Sequence, residues 1–92
     1  MDVKNVEKIS KALGDPHRIA ILQELKKKKE DCLQCAEINE LLDLTQPSVS
    51  HHVKQLVDAD IIIPIKEGRN IKYLLNQKIL DAYISFLSNL KV

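Results

Sequence analysis

The chain has 92 residues, 29% charged and 45% hydrophobic, with a formal net charge of +1, the make-up of one globular domain spanning residues 1–92. Aromatics are 3%, with no Trp, and there are two Gly; that is too little for a base-stacking platform, a Gly-rich phosphate cradle or a many-turned β-sandwich. The longest apolar run, Ile61-Ile62-Ile63, stops at Pro64, and MDVKNVEKIS lacks the apolar stretch of a secretory signal, so the expectation is a cytoplasmic protein with no membrane partner.

Residues 2–13 read as a first helix, with Val3, Val6, Ile9 and Leu13 at near-helical spacing and Gly14 to end it. Asp15 caps a second helix that begins at Pro16, where a missing N–H costs nothing. Ile19, Leu22 and Leu25 give that helix its buried side, and the lysines from Lys26 to Lys29 suit the negative end of its dipole. A third helix covers Cys35 to Leu42 and buries Ile38, Leu41 and Leu42. After a turn at Asp43-Leu44, Thr45 caps a fourth helix with Pro47 near its start.

In the fourth helix Val49, Val53, Leu56 and Val57 form an apolar stripe at i, i+4, i+7 and i+8. The other side carries Ser50, His51 and Lys54, with Gln46, Ser48 and Gln55 at its margins. No acidic residue lies between Leu44 and Val57. Two helices joined by a short turn, the second with a small, polar, acid-free outer face, make a helix-turn-helix layout. Its short polar side chains can enter a major groove, and its N-terminus can receive a phosphate.

Beyond Asp60 the pattern changes to strands. Ile61–Lys66 is β-branched and holds Pro64, which suits an edge strand; Gly68-Arg69-Asn70 turns the chain and Ile71–Leu75 returns. The product is a hairpin with a basic tip, a wing. From Asn76 a last helix runs to about Leu90. Its apolar residues cover roughly 200° of circumference, about twice what one core needs, so one side should meet a second subunit. The fold class expected is mostly α with a small β-hairpin (α+β), a winged helix-turn-helix in the order α-α-α-α-β-β-α.

The only cysteines are Cys32 and Cys35, a CxxC at the entry to the third helix. That spacing brings two thiolates within reach of one soft ion, and a helix N-terminus lowers thiol pKa. Three readings stay open: binding of a soft metal or metalloid ion, a reversible thiol redox or persulfide switch, and no sensory role. Arsenite prefers three thiolates and Zn²⁺ or Cd²⁺ four ligands, so His17, Asp31 or Glu37 are candidate helpers. His52 flanks the apolar stripe and reads as a half-buried structural histidine. Two other classes compete: a small thiol or metal carrier, for which the βαβ context is missing, and a protein-binding winged helix, against which the acid-free face argues. No nucleophile–base–orienter set supports an enzyme.

Together KALGDPHRIAILQEL, QPSVSHHVKQL and EGRNIKYLLN resemble the ArsR/SmtB family of winged-helix repressors over nearly the whole chain. The resemblance implies a homodimer built from the first and last helices, including Val6, Ile79, Tyr83, Ile84 and Leu87. It implies a double-stranded operator with twofold symmetry, contacted by Gln46, Ser48, Ser50 and His51, with Thr45 just before them and Arg69 at the wing tip; Lys54, by its place on the same face, can pair with a phosphate. It also implies release when an inducer such as arsenite, cadmium or zinc binds the Cys32/Cys35 region. The family's pair there is commonly CVC, whereas this chain has CLQC, so the match is by region. The family's other metal site, on the last helix, uses Asp and His; here that helix has Asp81 and no His, which disfavours it.

Overall fold

The computed structural model describes residues 1–28 and 32–91. Its elements are α1 (Val3–Ala12), α2 (Pro16–Lys27), β1 (Cys32–Gln34), α3 (Cys35–Leu42), α4 (Gln46–Asp58), β2 (Ile62–Glu67), β3 (Asn70–Leu75) and α5 (Gln77–Ser88). Local chemistry sets most of the boundaries. The Asp2 and Asp15 carboxylates accept from the N–H groups of Asn5 and His17, each at 2.8 Å, and Asn76 accepts from Ile79 at the start of α5, so three helices have side-chain caps. Asp43 takes the left-handed conformation (φ 49°) that stops α3, a conformation aspartate tolerates better than most residues. Gly68, at φ 62°, opens the two-residue loop between β2 and β3, the position where a type II′ hairpin turn requires glycine.

A single cluster of buried side chains joins these elements: Ile9 of α1, Ile21 and Leu25 of α2, Ile38 of α3, Val49, Val53 and Leu56 of α4, and Leu33, Ile62 and Tyr73 of the sheet. The apolar stripe expected on α4 is this buried face, with Val57 at its half-buried margin. On α2 the fully buried pair is Ile21 and Leu25, while Ile19 and Leu22 are half-buried. On α3, Leu41 is exposed rather than buried. The helix is only eight residues long, so its core stripe takes Ile38 and Leu42, four apart, and turns Leu41 aside.

One element was not anticipated. Cys32–Gln34 forms a third strand, so the order is α-α-β-α-α-β-β-α and the sheet runs β1-β3-β2. The strand exists because β3 offers an open edge: Cys32, Leu33 and Gln34 pair antiparallel with Leu74, Tyr73 and Lys72. Leu33 is wholly buried beneath this ladder. The wing is therefore the outer part of a three-stranded sheet with β3 at its centre and β2, carrying Pro64, on the far edge.

Candidate nucleic-acid interface and thiol pair

Helix α4 presents two faces that differ sharply in exposure. Val49, Val53 and Leu56 are buried, whereas Thr45, Gln46, Ser48, Ser50, His51 and Lys54 are all exposed. Thr45 sits at the N-cap, and its hydroxyl donates to Ser48 Oγ at 3.0 Å instead of capping a backbone N–H. The N–H groups of the first turn are thus left without a side-chain cap from Thr45 and point into solvent, the arrangement that attracts an anion. Lys54 is engaged: its ammonium donates to Asp58 Oδ2 at 2.7 Å, one turn along the helix. Arg69 is exposed at the wing tip in the loop between β2 and β3. Beside that tip Glu67, the last residue of β2, is matched by Lys72 of β3, so the acid in the hairpin is neutralised locally.

Between α4 and the wing lies a mainly apolar groove of about 330 Å³, lined among others by Cys35, Val49, Val53, Val57, Pro64 and Tyr73. Cys35 is the first residue of α3, and Cys32 is the first residue of β1. No disulfide joins them. Burial raises the pKa of the Tyr73 hydroxyl, and the charge of the nearby Cys35 thiolate raises it further. Cys32 lies on the Lys28 side, where its charge contributes to raising the Lys28 pKa, an effect led by the hydrogen bond to Glu37.

The proposed helpers for the thiols are placed elsewhere. Glu37 is held in the Lys28 ion pair and accepts from the Gln34 N–H at 3.0 Å, closing a capping box at the start of α3. Those two hydrogen bonds hold its carboxyl below the ordinary range. His17 stands with Asp15 and His52. Asp31 lies outside the described residues. Among the described residues, no third His, Cys, Asp or Glu side chain joins Cys32 and Cys35 to make a ligand set of three.

His52 is half-buried, as its place beside the apolar stripe suggested, but its partner could not be read from the sequence. Arg18 donates from Nη1 to His52 Nδ1 at 3.1 Å, from Nε to the Ala12 carbonyl at 2.6 Å and from Nη2 to the Lys11 carbonyl at 3.1 Å. One guanidinium therefore closes the C-terminus of α1 and ties it to α4. Burial lowers the His52 pKa; Asp15 opposes that, and the charges of Arg18, His17 and His51 reinforce it, so the ring is neutral near pH 7. Arg18 was missed because its partners are 6, 7 and 34 positions away. The only clue was its position after Asp15 on the first turn of α2.

The residues expected at a subunit interface fall into two groups. Ile79 and Tyr83 are partly buried against the chain's own core, and the Tyr83 hydroxyl meets Ser10 Oγ at 2.8 Å, fastening α5 to α1. Ile84 and Leu87 are exposed, along with Val3 and Leu90, and Val6 is half-buried. Although most of α5 is apolar, none of its residues is fully buried.

Comparison with known proteins agrees with this geometry. A helix-turn-helix domain family model matches residues 13–65. The chain is 36% identical over 86 residues to the arsenical resistance operon repressor of Staphylococcus xylosus, covering 88% of this chain and 75% of the relative. A crystal structure of an ArsR family transcriptional regulator superposes with a TM-score of 0.85 at 25% identity, over 97% of this chain and 89% of the other. The NMR structure of the cadmium metal-sensor CMTR from Mycobacterium tuberculosis gives a TM-score of 0.61 at 27% identity, over 88% and 81%. Sequence, fold and the two faces of α4 thus converge: the chain belongs to the ArsR/SmtB family of winged helix-turn-helix regulators, DNA-binding repressors of transcription and not enzymes.

Proposed function

We propose that this repressor acts as a homodimer in the cytoplasm, binds an operator with twofold symmetry, and releases it when a soft metal or metalloid ion occupies Cys32 and Cys35. The observation that carries the DNA reading is the exposed, acid-free face of α4 from Thr45 to Lys54, flanked by Arg69 on the wing. Gln46, Ser48, Ser50 and His51 are the base-edge and sugar-phosphate contacts in this reading; Lys54 and Arg69 bind phosphates. The dimer is supported by Val3, Ile84 and Leu87, which a lone chain leaves exposed on its first and last helices, and by Leu90 just beyond the last one.

For the inducer, the names of the relatives point to arsenical resistance and cadmium sensing, and the two thiols are of the right chemistry for a soft ion. One chain supplies two of the three or four ligands such ions take, so the coordination is completed from outside the described residues. Cys32 belongs to the wing's sheet and Cys35 to the helix-turn-helix. Drawing their sulfurs together moves the wing relative to α3, and hence the spacing of Arg69 from α4. A thiol oxidant that joined the same two sulfurs would act through the same lever, which keeps redox control as the second reading.

The test is fluorescence anisotropy of DNA from upstream of the protein's own gene across a range of salt. Each phosphate contact contributes about 0.9 to the salt slope, so Arg69→Ala should lower the slope by about 1.8 for a dimer with two wings. Cd²⁺, arsenite, Zn²⁺ or a mild oxidant should then weaken the reduced protein's binding about tenfold or more, a coupling near 1.4 kcal/mol. The Cys32→Ser/Cys35→Ser variant should lose that response. A full response in the variant removes the thiols from the mechanism.

A further inference from the structure

A second cluster of metal-binding side chains lies outside the thiol pair. Asp15, His17 and His52 each offer one ligand atom, and the three atoms lie within 4.8 Å of one another; among the described residues this is the only such group. Asp15 Oδ1 stands 3.4 Å from His17 Nδ1 and 3.9 Å from His52 Nδ1. A tetrahedral ion with bonds of about 2.0–2.1 Å holds its ligands roughly 3.4 Å apart. The first distance already meets that spacing and the second needs a shift of about half an ångström. We propose that Asp15, His17 and His52 form a binding site for a borderline divalent cation such as Zn²⁺ or Co²⁺, independent of the cysteines and bridging α2 to the recognition helix α4.

The donor set suits such an ion: two imidazole nitrogens, from His17 and His52, and one carboxylate oxygen, from Asp15. His17 is about half exposed and can turn toward an ion, with the remaining position left to water. The opposing influence is Arg18, whose Nη1 occupies His52 Nδ1 at 3.1 Å and whose charge repels a cation. Its Nε and Nη2 are anchored on the carbonyls of Ala12 and Lys11, so it can yield the His52 bond while staying attached to α1. Binding is then an exchange at one nitrogen, with affinity held down by the guanidinium.

The two ligand sets sit on different elements. Asp15 and His17 belong to the entry of α2 and His52 to α4, whereas Cys32 and Cys35 belong to β1 and α3. An ion at the first set fixes the approach of α2 to α4 and leaves the wing's sheet untouched.

The experiment uses the Cys32→Ser/Cys35→Ser protein, with Zn²⁺ binding followed by equilibrium dialysis and the histidine ring resonances by NMR. One Zn²⁺ per chain should bind, shifting the rings of His17 and His52. His17→Ala should weaken binding at least tenfold, and so should Asp15→Asn, which keeps a helix-capping oxygen but loses the charge. Because serine at both thiol positions could disturb the fold, Co²⁺ is also added to the unsubstituted protein: ion at the His/Asp site shows no thiolate-to-cobalt charge transfer, and His17→Ala should remove that component alone. Absence of Zn²⁺ from the cysteine-free protein, or binding unchanged by His17→Ala, overturns the proposal.

Discussion

Replacing Asp58 with asparagine is expected to tighten operator binding. Lys54 donates to the Asp58 carboxylate at 2.7 Å, so a phosphate that takes Lys54 must first displace an acid of the protein's own. The side chains are 70% and 54% exposed, and such a pair at i, i+4 on a helix is worth about 0.3–0.5 kcal/mol. Lysine precedes the acid here, the less favourable order along a helix dipole, which places the value toward the lower end. A twofold dimer breaks two pairs on binding, a cost of roughly 0.6 kcal/mol at that lower end, so Asp58→Asn should lower Kd about threefold. The variant also removes a negative charge near the DNA, and a double-mutant cycle separates the two effects. With Lys54→Ala in place, only the longer-range repulsion is relieved, and its gain should fade as salt shortens the screening length below about 10 Å. Anisotropy titrations of the four proteins at low and moderate salt supply the cycle. A gain as large in the Lys54→Ala background as in the parent would refute the competition, and with it the assignment of Lys54 to a phosphate.

Two further outcomes follow from exposure and burial. Ile84→Asp places a charge on a residue that is 59% exposed in the single chain; sedimentation should show dimers converted to monomers, with monomer stability changed by no more than about 0.5 kcal/mol, and a variant that remains dimeric would remove Ile84 from the interface. The burial-lowered pKa of His52, among Asp15, Arg18, His17 and His51, makes the unfolded chain bind more protons. Its stabilising contribution is complete above about pH 6.5 and drains away as pH falls below that value. Urea midpoints should therefore drop on acidification through this window, and less so in His52→Gln; equal slopes in the two proteins would contradict the burial argument. Asp15, also lowered, adds its own loss only in the more acidic range below about pH 4.

How much could be read from the residues depended on the distance over which each feature is decided. The Asp15-Pro16 entry to α2, the start of α3 at Cys35, the two faces of α4 and the Gly68 turn are written in neighbours a few positions apart, and all are found in the structure. Strand β1 is three residues long with one apolar side chain, Leu33, and is defined by partners some 40 positions away on β3; no local pattern could announce it. The buried side of α2 was misjudged for a related reason. Ile19, Ala20, Ile21, Leu22 and Leu25 cover so much of the helix that periodicity cannot choose among them, and the packing of its neighbours selects Ile21. The outer face of α4 was legible because it lacks acids, whereas the Arg18–His52 bond joins residues from separate helices.

Pro64 also bears on how the protein behaves in a crowded cell. The β1-β3-β2 order leaves β2 as a long outer strand, with Ile63 and Pro64 exposed along it. An open apolar strand of this length invites another molecule to extend the ladder, the first step toward aggregates. Proline has no N–H to offer and a rigid ring where the incoming strand must lie flat. With Pro64 in place, the wings of neighbouring molecules can crowd without zipping.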